Sequence, residues 1–523
     1  MLSKNGLGPG AAGCAALILL AAAARSSEPG TPAVAAEPTA IYGPADPQAK
    51  DPSRFDPKRP IRQEMQTDVP DGFTVGAVGD LIISRPLSQY AARLNGFAGV
   101  LRLLASTDVN YGNLETTLFD ARYFAGAPYS WDDDWTNSAE PAVANDLKRM
   151  GFGIVSRANN HSLDWGLEGM RETSRHLDDA GIVYAGVGED RGRARAPQFL
   201  ETPKARVALV SVASTFRPTT DALPHHGAAP GRPGLSALHV VRTIVLGPEA
   251  MRALAQTDCA VYRHHCGETP AELSIFDGKY RLGGAFGYDY AMDPQDLAEI
   301  LKNIRAAREN ADFVIVSIHS HECSKGCDDS SQPRGAGNFL KQFAHQAIDS
   351  GADLFVTTGN HNLNAIELYR SPTRGVRPIF YGLGNFFWSD VQLPLPHDLY
   401  QDNRELLERA WTNPAKATDY DLTAPLNAAS FAHDFTFESV IAVSRFTANA
   451  LAELRLYPIE EGYGERLPKS GIPRLVTDPR LATAILARIQ QATREFDLAP
   501  LDWQVVRGVA TLRVPLPARL TSP

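Results

Sequence analysis

The chain has 523 residues, of which 44% are hydrophobic and 21% are charged, and its net charge is -9. This length and composition are typical of a soluble globular protein with one large domain or two to three ordinary ones. The acidic balance, without a stripe of Lys and Arg, argues against nucleic acid as a partner.

The first 36 residues are predicted to be a signal peptide or a short membrane anchor. One lysine precedes the apolar run AAGCAALILLAAAA, which is shorter than the ~20 residues that span a membrane. Small residues near Ala24 and Ala36 are candidate cleavage sites. Because Cys14 lies inside the run, a lipoprotein signal is not expected. The protein is therefore expected to be exported to the periplasm or another part of the cell envelope, with or without an N-terminal membrane anchor.

The rest of the chain is divided by its composition into three further segments. Residues 37–70 are rich in Pro and Ala and are predicted to be a disordered linker. Residues 71–465 are predicted to form the main domain, and residues 466–523 a C-terminal helix and extension that pack on it. Two stretches, 217–290 and 389–432, interrupt the main domain and are predicted to be insertions at the rim of its site.

Four cysteines follow the signal segment, and they are Cys259, Cys266, Cys323 and Cys327. An even number in an exported chain indicates disulfides, and the local pairs 259–266 and 323–327 are the simplest of three connectivities. Four free thiols in a reducing compartment are the alternative. A zinc site is disfavoured because no CxxC pair is present.

Within the main domain, short apolar strands alternate with amphipathic helices from Phe73 onward. The predicted strands, in chain order, lie in FTVGAVGD, STDVNYGNLE, GFGIV, GIVYAGVG, ARVALVSVAS, DFVIVSIH, DLFVTTGNH and RPIFYGLG. The predicted helices lie in FAGVLRLLAS, PAVANDLKRM, GLEGMRETSRHLDDA, DPQDLAEILKNIRAAREN and AGNFLKQFAHQAIDSG, and a last one in DPRLATAILARIQQATREFD. This alternation predicts a layered α/β domain.

Polar side chains collect where the predicted strands end, which is where ligands bind in open α/β sheets. They are Asp80, Glu115, Asn160, His161, His319 and His361. Carboxylate, amide oxygen and imidazole together favour Mn, Fe, Zn or Mg over a soft metal. Two such ions can share a carboxylate and act on a phosphate group, and a histidine beside a ligating asparagine is placed to protonate the leaving oxygen.

Each of these residues also has a structural alternative. Asp80 and Asn160 are suited to cap a helix, a histidine at a strand end is often only hydrogen-bonded, and Glu115 is compatible with a solvent-facing position. Asn385 is compatible with a turn. No pair of candidates has the helical i, i+4 spacing of an HExxH motif, so spacing leaves both interpretations open.

Six runs occur in the order of the motifs of one known family. They are GAVGD, NLETTL, RANNHSLDWG, DFVIVSIHSHE, AIDSGADLFVTTGNHNLNAIELY and RPIFYGLGNFFW. Over residues 73–390, and more weakly beyond them, the chain resembles the CapA-type poly-γ-glutamate capsule-synthesis family. Because that family is similar to calcineurin-like metallophosphoesterases, the resemblance implies a four-layer α/β/β/α sandwich with rim insertions and a metal site at the strand ends.

The resemblance also implies a role for each strand-end residue. The implied ligands of one or two divalent ions are Asp80, Glu115, Asn160, His319 and His361. Glu115 would be the carboxylate that bridges two ions. His161 would be the general acid, with Asp164 as the carboxylate that orients it. Additional candidates are Asn113, His321, Glu322 and Asn385.

The chain departs from the family pattern at three points. Thr358 stands where a histidine is expected, and a hydroxyl is a poor ligand for a transition metal. The run HSHEC adds an imidazole, His321, which either replaces the missing ligand or points away by strand alternation. Asp80 is followed by Leu-Ile instead of the D-x-H of the phosphoesterases.

The expected function is that of an exported metal-dependent hydrolase that acts on an anionic polymer or a phosphorylated substrate. The resemblance implies a role in making, exporting or attaching poly-γ-glutamate or a related capsule polymer, with membrane-embedded capsule-synthesis subunits as partners. Two alternatives stay open. One is a non-catalytic envelope component that binds polymer or partner subunits, and the other is an amide hydrolase that cleaves γ-glutamyl bonds.

Overall fold

The computed structural model describes residues 68–515, with gaps at 130–135, 326, 328–331, 389–403, 406–415, 417–420, 422–432, 448 and 466–468. The predicted leader, almost all of the predicted linker and most of the predicted insertion 389–432 lie outside the described residues. Across the part that is described, no helix has both the length and the apolar character needed to cross a membrane.

The described residues form 24 strands and eight α-helices. The strands, in chain order, are β1 (Phe73–Ile82), β2 (Val109–Leu114), β3 (Thr117–Leu118), β4 (Ser138–Ala139), β5 (Ile154–Ser156), β6 (Val183–Ala185), β7 (Val187–Gly188), β8 (Gln198–Glu201), β9 (Arg206–Ala213), β10 (Gly234–Leu235), β11 (Val240–Leu246), β12 (Glu272–Ile275), β13 (Gly278–Leu282), β14 (Gly287–Met292), β15 (Phe313–His319), β16 (Leu354–Thr358), β17 (Ile366–Ser371), β18 (Gly375–Phe380), β19 (Asn385–Trp388), β20 (Glu438–Thr447), β21 (Ala450–Glu460), β22 (Arg474–Leu475), β23 (Gln504–Val506) and β24 (Val509–Arg513). The helices are α1 (Asn95–Leu104), α2 (Ala142–Arg149), α3 (Gly166–Asp179), α4 (Arg191–Arg195), α5 (Pro248–Tyr262), α6 (Pro294–Glu309), α7 (Phe339–Asp349) and α8 (Pro479–Glu495). Both of the longest helices begin with an Asp-Pro pair, whose aspartate caps the first turn and whose proline has the backbone angle that a helix start needs.

Two sheets carry the fold. In the first sheet, the order is β23-β24-β21-β20-β1-β2-β5-β6, while β19 pairs with β1 and β22 with β21. In the second sheet, the order is β17-β18-β16-β15-β9-β8. Strands β19, β1, β2, β5 and β6 are parallel to one another, as are β18, β16, β15 and β9. The carboxyl ends of these strands therefore meet at one edge of each sheet.

The two sheets pack face to face, and helices cover their outer faces. Alternate residues such as Val75 and Tyr111 of the first sheet and Ile315 and Val356 of the second share one buried cluster. On the outer face of the first sheet, α1 and α2 pack in a second cluster. On the outer face of the second sheet, α6 and α7 pack in a third. The predicted four-layer α/β/β/α sandwich is therefore confirmed.

Phe313, the first residue of β15, packs against the first sheet. Its ring centroid is 5.5 Å from that of Phe73 and 4.9 Å from that of Phe446, and all three side chains are buried. We expect Phe313→Ala to lower the free energy of unfolding by about 3–5 kcal/mol. Removal of the ring leaves a cavity between the two packed sheets, which cannot move together to fill it. Denaturant unfolding would measure this loss. Val506→Ala, on an exposed edge strand, is the control, and an equal effect of the two changes would contradict this account of the core.

The region predicted as the first insertion has two parts. Residues 240–292 form a four-stranded sheet of order β12-β13-β11-β14, together with α5. Residues 217–239, which precede this small sheet, pack on the main domain, where Arg217 and Leu235 are buried. Disulfides join Cys259 to Cys266 at the end of α5, and Cys323 to Cys327 shortly after β15.

The C-terminal segment packs on the main domain as an integral part of it. Helix α8 places Ile485, Leu486 and Ile489 in the core between the sheets. Strands β22 and β24 both pair with β21, so the segment also extends the first sheet.

Candidate metal centre

Strand ends of both sheets bring carboxylates and imidazoles together in one buried cluster. One group consists of Asp80, Glu115 and His361, and another of Glu115, His319 and His321. Within each group, one potential ligand atom per residue lies within 4.8 Å of the others. Glu115 belongs to both groups and is fully buried. The cluster therefore has two overlapping potential metal positions, and both share the carboxylate of Glu115.

Asp80 lies inside β1 and not at its end, since the strand continues to Ile82. The register of β1 with β19 shifts between Asp80 and Leu81, just after the partner of β1 changes from β20 to β19. The backbone of β1 at Gly79 lies very close to the backbone of Gly384. Only a glycine allows this approach, because a Cβ on Gly79 would lie 1.7 Å from the carbonyl oxygen of Gly384. The shift leaves the Asp80 side chain facing the second sheet.

Three donors or partners hold the Asp80 carboxylate. Asn113 Nδ2 donates to Oδ1 at 2.9 Å, the backbone N–H of Gly359 donates to Oδ2 at 3.1 Å, and His361 Nδ1 lies 3.3 Å from Oδ2. Burial would raise the pKa of Asp80, but the hydrogen bond with His361 and the charges of His361 and His319 lower it to about 2. Asp80 is therefore an anion at neutral pH and does not cap a helix.

His319 and His321 face each other across the cluster. Their Nε2 atoms are 3.0 Å apart, and Gly359 makes room for both rings, because a Cβ there would lie 2.9 Å from each of them. Strand β15 ends at His319, so strand alternation does not determine the direction of His321. The backbone N–H of His321 is instead fixed by Thr215 Oγ1 at 2.8 Å. Thr358 contributes only its hydroxyl, which lies 3.2 Å from His319 Nδ1.

Both imidazoles are held in the neutral form that binds metals. Burial lowers the pKa of His319 to about 3, although the charge of Asp80 opposes the shift. Loss of hydration also lowers the pKa of His321 well below its usual value, and the charges of His319, His361 and Arg334 add to this effect. These side chains can therefore act as ligands without first losing a proton.

The two adjacent asparagines have different tasks. Asn159 Nδ2 donates to Asn113 Oδ1 at 3.1 Å and to the carbonyl of Leu114 at 2.9 Å, and its Oδ1 accepts from the backbone of His161. It thereby shapes the loop. Asn160 is also buried, yet within the described chain its Oδ1 has no hydrogen-bond partner. A buried amide oxygen of this kind is costly unless a ligand binds it. The donor set therefore fits a divalent ion such as Mn, Fe, Zn or Mg.

His161 forms a buried acid–base pair with Asp164. Nδ1 of His161 lies 2.8 Å from Asp164 Oδ2, and its Nε2 lies 3.8 Å from Glu115 Oε1. The other oxygen of Asp164 is 3.1 Å from Arg217 Nη2, and the backbone N–H of Asn137 donates to Oδ2 at 2.6 Å. Arg217 was not among the site residues predicted from the sequence, because it lies in a predicted insertion. Its position four residues after β9 was the only local signal.

The other additional candidates support the cluster from outside. Glu322 accepts hydrogen bonds from the hydroxyls of Ser214, Thr215 and Ser320 at 2.6, 3.0 and 2.8 Å, so it fixes the loop after His321. Asn385 Oδ1 lies 2.9 Å from His361 Nδ1 and orients that ring, while its amide donates to the carbonyl of Thr436. The backbone φ of His361 is 55°, a value that residues other than glycine rarely adopt and that is found mostly in functional loops.

The pKa of His319 makes the stability of the metal-free protein depend on pH. In the unfolded chain this imidazole binds a proton below pH ~6.5, whereas the folded protein keeps it neutral to about pH 3. Stability should therefore fall as the pH drops below ~6.5, by up to about 1.4 kcal/mol per pH unit for this residue. Unfolding experiments between pH 7 and 5.5 measure this slope, and His319→Asn should reduce it. An unchanged slope in the variant would contradict the assignment.

The comparisons with known proteins converge on capsule synthesis. The family described as Bacterial capsule synthesis protein PGA_cap matches residues 74–389. Uncharacterized protein y4sH of Sinorhizobium fredii (strain NBRC 101917 / NGR234) is 42% identical over 445 residues, which are 84% of this chain and 94% of that protein. Capsule biosynthesis protein CapA of Bacillus anthracis is 25% identical over 323 residues, or 60% of this chain and 59% of that protein. PGA biosynthesis protein CapA of Bacillus subtilis is 22% identical over 326 residues, or 62% and 65%. The family match includes the whole cluster from Asp80 to Asn385.

Proposed function

We propose, since the chain belongs to the bacterial capsule synthesis protein family PGA_cap, that it is an exported metal-dependent hydrolase. Its substrate would be a phosphorylated or polymeric anionic intermediate in the synthesis or export of poly-γ-glutamate or a related capsule polymer. The names of the Bacillus relatives, which refer to capsule and PGA biosynthesis, support the polymer, and the predicted leader and two disulfides support a compartment outside the cytoplasm. Membrane-embedded capsule-synthesis subunits are the proposed partners.

The observation that carries this proposal is the shared position of Glu115. A buried carboxylate that belongs to two groups of three potential ligands is suited to one or two divalent ions. Such ions, when bound, stabilise negative charge on a phosphoryl or carbonyl oxygen. Asp80, Glu115, His319, His321 and His361 would hold them, together with the amide oxygen of Asn160.

His161 and Asp164 would carry out the proton transfer. Asp164 accepts from Nδ1 and so holds the ring in one orientation, and Arg217 contacts the other oxygen of this carboxylate. The Nε2 side then faces the cluster and can donate a proton to the leaving oxygen. Water is the nucleophile in this scheme.

The test is a measurement of metal content and phosphatase turnover on the purified chain. We expect mass spectrometry to find Mn, Fe or Zn in the purified protein, and p-nitrophenyl phosphate to be hydrolysed. A protein that binds no divalent metal and stays inactive with added Mn, Fe, Zn or Mg would overturn the proposal.

Thr358 favours a second function, that of an envelope component that binds polymer without turnover. A hydroxyl beside His319 leaves one of the two positions with a weaker donor set. Polymer binding by a metal-containing but inactive chain would support this alternative. Restored turnover in Thr358→His would then identify the missing imidazole as the cause.

A further inference from the structure

A cavity of about 370 Å³ lies against the loop that follows His361, a residue of the candidate metal centre. Asn362, which directly follows His361, forms part of its wall, and α8 contributes Arg488 and Glu495 on another side. Arg334 and Lys325 come from the segment that follows the two cluster histidines of β15 and its loop. The cavity is therefore lined by three cationic side chains, and its wall includes the residue next to His361.

Two of these three cations are neutralised by carboxylates. Lys325 forms an ion pair with Glu495, and Arg488 forms one with Glu438. Arg334 differs from both, because no carboxylate of the described chain lies within 4.0 Å of its guanidinium. Among the described residues, a half-buried arginine without a carboxylate partner is unusual, since charges that lose hydration are normally paired.

The backbone at Arg334 is held firmly. Its carbonyl accepts from Asn364 Nδ2 at 3.1 Å, and the next two backbone N–H groups donate to the carbonyl of Lys325 at 3.0 Å and to Asn364 Oδ1 at 3.2 Å. The charge of Arg334 also acts on His321, so the guanidinium lies within electrostatic range of the cluster. The backbone from which this cation extends is thus fixed in the wall of the cavity.

We infer that Arg334 binds a second anionic group of the substrate in this cavity, while the reacting group lies at the candidate metal centre. A guanidinium presents paired N–H donors that match a carboxylate or a phosphate. The substrate class is therefore a molecule with at least two oxyanions, such as a carboxylate-bearing chain or a phosphorylated unit of one. The inference deepens the proposed function and rests on it for the identity of the ligand as substrate.

Direct binding tests this inference without relying on turnover. Calorimetry on the full chain, metal-free and loaded with Mn, would measure the affinities of a γ-linked glutamate trimer and of inorganic phosphate. We expect Arg334→Gln to lower the affinity for one of these ligands about tenfold or more in the metal-free protein. Arg334→Lys should weaken it less, because the charge remains. Arg488→Gln, in the same cavity but paired in the wild type, is the matched control and should have a smaller effect.

The two ligands separate the sources of the anion. A loss confined to the trimer identifies a carboxylate site, and a loss confined to phosphate identifies a phosphate site. Both support the inference. Unchanged affinities in Arg334→Gln, equal losses in Arg488→Gln, or a wild type that binds neither ligand would overturn it. Failure of the proposed function is a separate result, seen as absent metal and absent turnover in the wild type, and it leaves the metal-free affinities unaffected.

Discussion

Glu115→Gln is expected to remove bound metal from the purified protein and to lower phosphate-ester turnover about a hundredfold or more. The substitution keeps the size of the side chain but removes the negative charge that both groups of potential ligands share. Loss of this ligand charge weakens the binding of a metal ion. The bound ion would itself supply several kcal/mol of transition-state stabilisation. Metal analysis and turnover at saturating Mn would measure the two effects together.

Variants that alter only one group show how the two positions depend on Glu115. Asp80→Asn changes the group with His361, and His321→Gln changes the group with His319. Each is expected to lose only part of the metal. Glu367→Gln is the matched control, because this carboxylate hydrogen-bonds to His345 and Tyr381 at 2.9 and 2.8 Å and belongs to neither group. Full metal content in Glu115→Gln would contradict the shared position.

His161→Gln should retain the metal and lose turnover, by about 10²–10⁴-fold on a substrate that needs a protonated leaving group. The effect should depend on the leaving group, because p-nitrophenolate leaves without much help from an acid. We therefore expect a larger loss with an alkyl phosphate than with p-nitrophenyl phosphate. Steady-state rates of both esters, with metal analysis of the same samples, would test this expectation.

The neighbours of His161 provide the controls for this experiment. Asp164→Asn removes the carboxylate that orients the ring, and Arg217→Gln removes the charge behind it, so both should show the same dependence on the leaving group with smaller losses. His345→Gln alters another imidazole–carboxylate pair, outside the cluster, and should leave both rates unchanged. An equal loss for the two esters, accompanied by loss of metal, would instead make His161 a ligand.

The sequence was sufficient to predict the layers of the fold, whereas Asp80, predicted at a strand end, lies inside β1. Apolar runs such as DFVIVSIH mark buried strands, and the parallel strands of each sheet bring their carboxyl ends to one edge, with Glu115 after β2 in the first sheet and His319 on β15 in the second. The short strands β23 and β24 were not predicted individually. Val505 and Val506 are exposed there, so no alternation of apolar and polar residues marks the strand.

Details of the site depend on contacts that no local pattern encodes. Asn159 shapes the loop and Asn160 leaves its amide oxygen available to a ligand. This difference arises because Asn159, and not Asn160, hydrogen-bonds to Asn113, a residue on another strand. The direction of His321 follows from a hydrogen bond to Thr215, more than a hundred residues earlier in the chain. Arg217 reaches Asp164 from a loop whose path is set by tertiary packing.

The pairing of β1 has a consequence for how this protein can be shortened. Residues 73–77 of β1 pair with β20, and the core between the sheets contains Leu454, Leu456 and Ile489. A fragment ending at 389 would keep the cluster but leave β1 with an open edge and remove one wall of that core. The segment that contains the candidate metal centre is therefore smaller than the unit expected to fold, and we expect an autonomous truncated protein to have to extend through β24.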